Sequence, residues 1–275
     1  LVGAILTEPC SPEADYGVFY IDALTYQPMC GAGTLSVAKA LVETGMVKRV
    51  EPETKIVLET PTGLVTVYVK WENHMVASIN LENVPAFLYR KDLHIDLAGY
   101  DDVSVDIGYG GNFFVLADVH SLGLTITKDT VNLLRSLSKD ILAAANKVIK
   151  VAHPTNPAIN YLDQVLFCQN VPEEDGGYLA QCIFGDAQAD ISPCGTGTST
   201  RLAQRYFRGL IGLEETFVQK SVCGGAFHAK GLRETTLGGV PAIVPYVSCS
   251  DVHITGFNHL IVEENDKLKN GFVSW

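Results

Sequence analysis

The chain contains no Cys-x-x-Cys spacing, which removes the usual framework of a structural zinc site. No apolar run reaches about 18 residues, so the sequence offers no helical membrane span. No basic-then-apolar segment opens it. Positive charge is short: 20 lysines and arginines stand against 31 aspartates and glutamates, a formal net charge of −11. That balance argues against nucleic acid as the main partner, because phosphate binding needs basic patches. The histidines are few and scattered (His74, His94, His120, His153, His228, His253, His259). None stands in a triad signature, so cysteine-hydrolase chemistry lacks its base. A low-complexity linker is also missing.

What is present is a chain of 275 residues, 47% hydrophobic and 19% charged, long enough for one large domain or two ordinary ones. Its seven cysteines are odd in number and widely spaced. That pattern argues against a disulfide scaffold and for reduced thiols in a reducing compartment, the cytoplasm.

Two of these cysteines, 164 positions apart, sit in near-copies of one segment. The first runs from Asp22-Ala23 to Met29-Cys30-Gly31-Ala32-Gly33-Thr34. The second runs from Asp186-Ala187 to Pro193-Cys194-Gly195-Thr196-Gly197-Thr198. In both, the Asp-Ala pair precedes the thiol by eight and seven residues, Gly-x-Gly-Thr follows it, and a helical pattern runs to a glycine fifteen residues on, Gly45 and Gly209. The correspondence continues into hairpin signals, at Pro61-Thr62-Gly63 between strand-like runs 55–60 and 64–71, and at Gly224-Gly225 between Phe217–Cys223 and Phe227 onward. Strand, thiol loop, helix and hairpin thus occur twice.

Elsewhere, residues 2–21 read as strand interrupted near Pro9, and strand-like runs continue to about Ala117. Lys128 to Lys150 carries an apolar stripe that predicts a helix between the halves, with Thr127 or Asp129 as its cap. A helix from about Thr198 to Arg208 follows the second thiol. The division this suggests is residues 1–128 with 250–275 against residues 129–249.

A thiol at the mouth of a helix has a chemical use. The helix N-terminus favours the thiolate, and the unpaired N–H groups of its first turn, approached over glycine, can hold a carboxylate oxygen. Two such thiols on opposite sides of one carbon acid can remove and return an α-proton with inversion. Neither loop carries the lysine of a phosphate-binding P-loop or a full dinucleotide fingerprint. Asp190, four residues before Cys194, reads either as a partner for a substrate ammonium or as a turn carboxylate.

Met29-Cys30-Gly31-Ala32-Gly33-Thr34 resembles the Met-Cys-Gly-His-Gly motif of the proline racemase family. Asp190-Ile191-Ser192-Pro193-Cys194-Gly195-Thr196-Gly197-Thr198 resembles its Asp-Arg-Ser-Pro-Cys-Gly-Thr-Gly-Thr. The likeness runs from Val2-Gly3-Ala4-Ile5-Leu6 to Ile254-Thr255-Gly256-Phe257 and Gly271-Phe272. That resemblance implies an α/β (α+β) fold like diaminopimelate epimerase: two pseudo-symmetric halves, each a mostly antiparallel sheet wrapped around a central helix. It also implies a homodimer without cofactor or metal, acting on a small cyclic imino acid. Cys30 and Cys194 would be the two bases. Gly31, Ala32, Gly195 and Thr196 would donate backbone bonds to substrate, Asp190 would meet its nitrogen, and Phe184 would form a pocket wall.

The family's dehydratases carry threonine at the second cysteine, so Cys194 favours a racemase or epimerase of proline or hydroxyproline. A trans-3-hydroxyproline dehydratase and an inactive imino-acid-binding protein are the alternatives. Two departures stand out. Ala32 replaces the family histidine, which implies a plain ring, a changed specificity or weakened activity. The family's His-Thr-x-Gly-Glu-Pro segment is also absent ahead of Leu1, so a chain that began there would lack first-half strands and substrate-covering loops.

Overall fold

Period-two alternation of β-branched residues with polar ones builds strands, and glycine-rich loops break them. In Glu53–Thr60 every second side chain is buried, with Ile56 and Leu58 fully inside. The structure, a computed structural model, describes residues 2–22, 24–170, 177–258 and 261–269. Ala23, His259 and the Gly271-Phe272 pair lie outside the described residues.

The first half opens with β1 (Gly3–Thr7) and β2 (Tyr16–Ile21), paired antiparallel, and the short β3 (Tyr26–Gln27) pairs with β2. After Cys30 comes α1 (Gly31–Glu43), followed by β4 (Glu53–Thr60), β5 (Gly63–Glu72) and β6 (Met75–Glu82). Next are β7 (Phe87–Ile95), β8 (Val103–Tyr109), β9 (Phe113–Asp118) and the long helix α2 (Val131–Val148). The second half runs through β10 (Gln164–Asn170), β11 (Gly177–Phe184) and the short β12 (Gln188–Ala189), then Cys194 and α3 (Gly195–Phe207). It ends with β13 (Phe217–Lys220), β14 (Ala226–Leu237) and β15 (Val240–Cys249).

The pairings repeat strand for strand. β2 joins β4 in parallel, as β11 joins β13. β4, β5 and β6 form an antiparallel meander, as do β13, β14 and β15. β6 and β15 then pair antiparallel with each other, Leu81 opposite Val247, so equivalent strands of the two halves meet at a seam. The result is a 15-stranded, mixed but mostly antiparallel sheet in the order β1-β2-β4-β5-β6-β15-β14-β13-β11-β10-β9-β8-β7, with β3 and β12 attached at the side.

Each thiol helix packs into the concavity of its half. α1 lies on β5, β6 and β1, burying Leu35, Val37, Ala38, Leu41 and Val42. α3 lies on β7, β8, β9, β14 and β15. Residues 195–203 of α3 are all buried although most are polar. They pack because Thr198, Ser199 and Thr200 turn their hydroxyls onto carbonyls four residues back, at 2.7, 3.0 and 2.8 Å, leaving small, internally satisfied surfaces against the sheet. Gly45 and Gly209 follow the two helices at φ +74° and +70°, the left-handed conformation that stops a helix.

Three details differ from the sequence reading. The helix after Cys194 starts three residues earlier than Thr198, at Gly195, because the thiol itself caps it. α2 is entered through Thr130, without a side-chain cap bond, rather than through Thr127 or Asp129. Thr127 and Thr130 instead exchange hydrogen bonds in the preceding turn. Finally, β7, β8 and β9 pair onward to β10, in parallel between Val115 and Val165, so residues 87–118 extend the sheet of the Cys194 half. No strand follows Cys249 among the described residues.

Candidate active site

Both thiols occupy the N-cap position of a helix. Cys30 Sγ accepts the Gly33 N–H at 3.3 Å, and Cys194 Sγ accepts the Gly197 N–H at 3.4 Å. A threonine four residues on anchors each cap, Thr34 to the Cys30 carbonyl at 2.8 Å and Thr198 to the Cys194 carbonyl at 2.7 Å. Buried Tyr20 holds Thr34 at 2.6 Å, and buried Gln219 holds Thr198 at 2.8 Å and the Pro193 carbonyl at 2.7 Å.

The two helices meet N-terminus to N-terminus. A Cβ on Gly31 would stand 2.7 Å from the Gly195 Cα, and one on Gly195 would stand 2.8 Å from the Gly31 Cα. Only glycine permits that approach. Both positive helix ends therefore face the same spot, and the N–H groups of Gly31, Ala32, Gly195 and Thr196 have no carbonyl within their own helices to bind. Asn112, in the turn between β8 and β9, locks the junction: its Nδ2 donates to the Met29 carbonyl at 2.8 Å and reaches Thr196 Oγ1 at 3.4 Å.

A cleft opens at this junction, between the two helix ends. Cys30, Gly31, Ala32, Phe184, Asp190, Cys194, Gly195 and Thr196 all line it, so every residue singled out from the sequence reaches one space. Gln27, Asn112, Gln164 and Cys182 line it too, with no motif in the sequence to mark them. Gln164 donates to Gln27 at 2.9 Å, joining β10 to β3 across the floor. The Oδ1 of Asn112 is buried without a protein partner. No lysine, arginine or histidine lines the cleft among the described residues.

The loop before Cys194 carries strain. Cys194 has φ +66°, a left-handed conformation that costs a non-glycine residue on the order of 1–3 kcal/mol. Three bonds hold it there: Cys194 N–H to Ser192 Oγ at 3.0 Å, Ser192 N–H to Asp190 Oδ1 at 2.8 Å, and Ser221 Oγ to the Ile191 carbonyl at 2.9 Å. Asp190 thus closes the turn and also lines the cleft.

The acidity of Cys30 runs against the expectation from its helix. Burial pushes its thiol up to about 12, and charge on Asp190 or Cys194 pushes the same way. The N–H groups of Gly33 and Ala32 favour the thiolate but do not offset desolvation. The Cys182 thiol is also pushed up, first by its hydrogen bond with Cys194 and then by burial. Burial raises the Asp190 carboxyl above its usual range against the bonds from Ser192. These acidic groups are buried together, with no cationic side chain among the described residues lining the cleft, and the shared direction of their shifts follows from that.

The fold twins a helix with one thiol at its mouth, and likeness to known proteins gives the family. The proline racemase family profile matches residues 1–273, and the chain belongs to that family. It is 37% identical over 273 residues to the proline racemase of Clostridioides difficile, covering 99% of this chain and 81% of that protein. A trans-3-hydroxy-L-proline dehydratase of Burkholderia cenocepacia is 38% identical over 274 residues, with the same coverage. Among solved structures, a hydroxyproline epimerase of Agrobacterium vitis with bound trans-4-hydroxy-L-proline superposes with a TM-score of 0.88 at 30% identity, covering 98% of this chain and 77% of that one. No described helix is long and apolar enough to cross a membrane.

Proposed function

We propose that the chain is a cofactor-independent racemase or epimerase that inverts the α-carbon of proline or a hydroxyproline, with Cys30 and Cys194 as its two bases. The observation that carries this reading is the meeting of two thiol-capped helix ends at one cleft. The substrate carboxylate sits against the joined N-termini, where the N–H groups of Gly31, Ala32, Gly195 and Thr196 supply donors that no cationic side chain supplies. These donors take up the charge that develops on the carboxylate as the α-proton leaves. Asp190 receives the ring ammonium, whose charge favours the ionised carboxyl. Phe184 walls the apolar ring.

One thiol must be protonated and its partner deprotonated at the start of each turnover. Cys30, held as the thiol, is the acid for the substrate enantiomer whose α-proton goes to Cys194, and the roles exchange for the other enantiomer. Each thiol helix, with the strands packed on it, contributes one base. The working form is a homodimer in the reducing cytoplasm, where its thiols stay free.

The test is deuterium uptake at Cα from D2O with each enantiomer of proline and with the 3- and 4-hydroxyprolines. Exchange with inversion is expected for the wild type, and a loss of at least about 10³-fold for Cys30→Ser and for Cys194→Ser. No exchange with any cyclic imino acid overturns the substrate assignment. Full activity in both variants overturns the mechanism. Pyrroline-carboxylate formation from trans-3-hydroxyproline without inversion would assign the chain to the dehydratases.

A further inference from the structure

A third thiol, which proton transfer does not use, completes a ligand set at the cleft. Cys182 lies on β11, and the Asp190 N–H donates to its carbonyl at 3.0 Å. That bond folds the strained loop from Asp190 to Cys194 back over the strand. In consequence the sulfurs of Cys182 and Cys194 and a carboxylate oxygen of Asp190 all lie within 4.8 Å of one another. All three residues line the cleft. They face it without a lysine, arginine or histidine among the described lining residues to balance them.

We propose that Cys182 Sγ, Cys194 Sγ and the Asp190 carboxylate form a three-ligand site for a soft divalent cation of the zinc or cadmium type, and that its occupancy switches the enzyme off by capturing Cys194. The inhibitory half of this statement rests on the racemase reading, while the binding half does not. Zinc–sulfur bonds of about 2.3 Å and a zinc–oxygen bond of about 2.1 Å place tetrahedral ligands roughly 3.5–3.8 Å apart. The observed separations come within about 1 Å of that, a distance side-chain rotation covers. Two thiolates select zinc or cadmium over magnesium and calcium, which prefer oxygen cages. Binding releases the protons of the two thiols to solvent, uses Asp190 as carboxylate and involves no change of oxidation state. Three protein ligands leave the fourth position to water. Donation to the metal lowers the basicity of the Cys194 sulfur, which then no longer takes an α-proton.

Cadmium and cobalt(II) serve as probes, because thiolate ligation gives each a near-ultraviolet charge-transfer band whose intensity scales with the number of sulfurs. The reduced, metal-free full chain is titrated in a Cys10→Ser/Cys223→Ser background, which removes the two exposed thiols. One ion per chain with a two-thiolate band is expected, and magnesium should give none. Cys182→Val should halve the band and weaken binding about 100-fold, with Cys182→Ser as the second variant should valine impair folding. Cys30→Ser should bind as the wild type does, which separates this site from any pairing of Cys30 with Cys194. A missing two-thiolate band, or one unchanged in Cys182→Val and Cys182→Ser, overturns the proposal. Cadmium should also suppress α-proton exchange, and Cys182→Val should need at least tenfold more cadmium for the same fractional loss of its own rate. Equal sensitivity would overturn the inhibitory role. Should no imino acid exchange at all, the absorbance titration still decides the binding site.

Discussion

Replacing Gly31 by alanine tests the contact on which the cleft depends. The added Cβ would lie 2.7 Å from the Gly195 Cα and 3.0 Å from its carbonyl carbon, about 0.7 Å short of the closest ordinary contact. Both atoms are backbone, so no side chain can swing aside. Relief requires the two helices to separate. Overpacking of this kind costs about 1–3 kcal/mol, which lowers Tm by roughly 2–4 °C per kcal/mol in a chain of this size class. The effect on chemistry should be larger, because a misplacement of about 1 Å at a reacting centre costs on the order of 10²-fold. The comparison is Gly45→Ala. Gly45 has φ +74° with nothing within 4 Å of the point where a methyl group would stand, so alanine there is strained but meets no neighbour. That change should cost about 1–2 kcal/mol and leave turnover intact. Differential scanning fluorimetry and α-proton exchange on both variants make the test. Undiminished turnover with an unchanged Tm in Gly31→Ala would refute the claim that this approach sets the distance between the thiols.

Alkylation should report the acidity of Cys30. With its thiol pushed up to about 12 by burial, Cys30 in the free protein should react slowly with iodoacetamide at pH 7, well after exposed Cys10 and Cys223, and about tenfold faster per pH unit through pH 10; peptide mass spectrometry showing Cys30 modified first at pH 7 would contradict this. The pair of Asp106 with Arg208 should dominate acid sensitivity. Burial pushes the Asp106 carboxyl up, but hydrogen bonds from Arg208 and Gln204 outweigh it and hold the carboxyl below the usual range. Its stabilisation is therefore complete above the ordinary carboxylate pKa of about 4 and is lost as pH falls through the lower native value. Asp106→Asn should cost about 2 kcal/mol in urea unfolding at pH 7, discounted from the 3–5 of a fully buried pair because Arg208 is 29% exposed. A loss that persists unchanged at pH 2 would rule out the ion pair as its origin.

Much of the site is legible in the sequence because its chemistry is local there. A thiol, two glycines and a threonine within five residues specify a capped helix start, and the repetition of that string announces two of them. The hairpin glycines and the stripe of α2 are readable for the same reason. What escapes is brought in by strand pairing. Cys182 reaches Cys194 only because β11 runs beneath the thiol loop, and nothing near Cys182 in sequence signals it. Asn112 reads as part of a strand-like stretch, yet it sits in a turn and bonds to both thiol segments. The pairing of β9 with β10 leaves no mark on the hydrophobic pattern of either strand, so the pattern groups residues 87–118 with the half that precedes them. The acidity of Cys30 escapes because a helix end is visible in sequence whereas the burial around it is not.

The asparagines of the β6–β7 and β8–β9 turns give this molecule a built-in gauge. Asn83 Nδ2 bonds to the Gly110 carbonyl at 2.9 Å and to Ser199 on α3 at 3.0 Å, while Asn112 ties the residue before Cys30 to the start of α3. The spacing of the two sulfurs thus rests on the glycine contact and on a small polar bracket that both helices share. A change of a single amide in that bracket therefore alters the span between the two sulfurs.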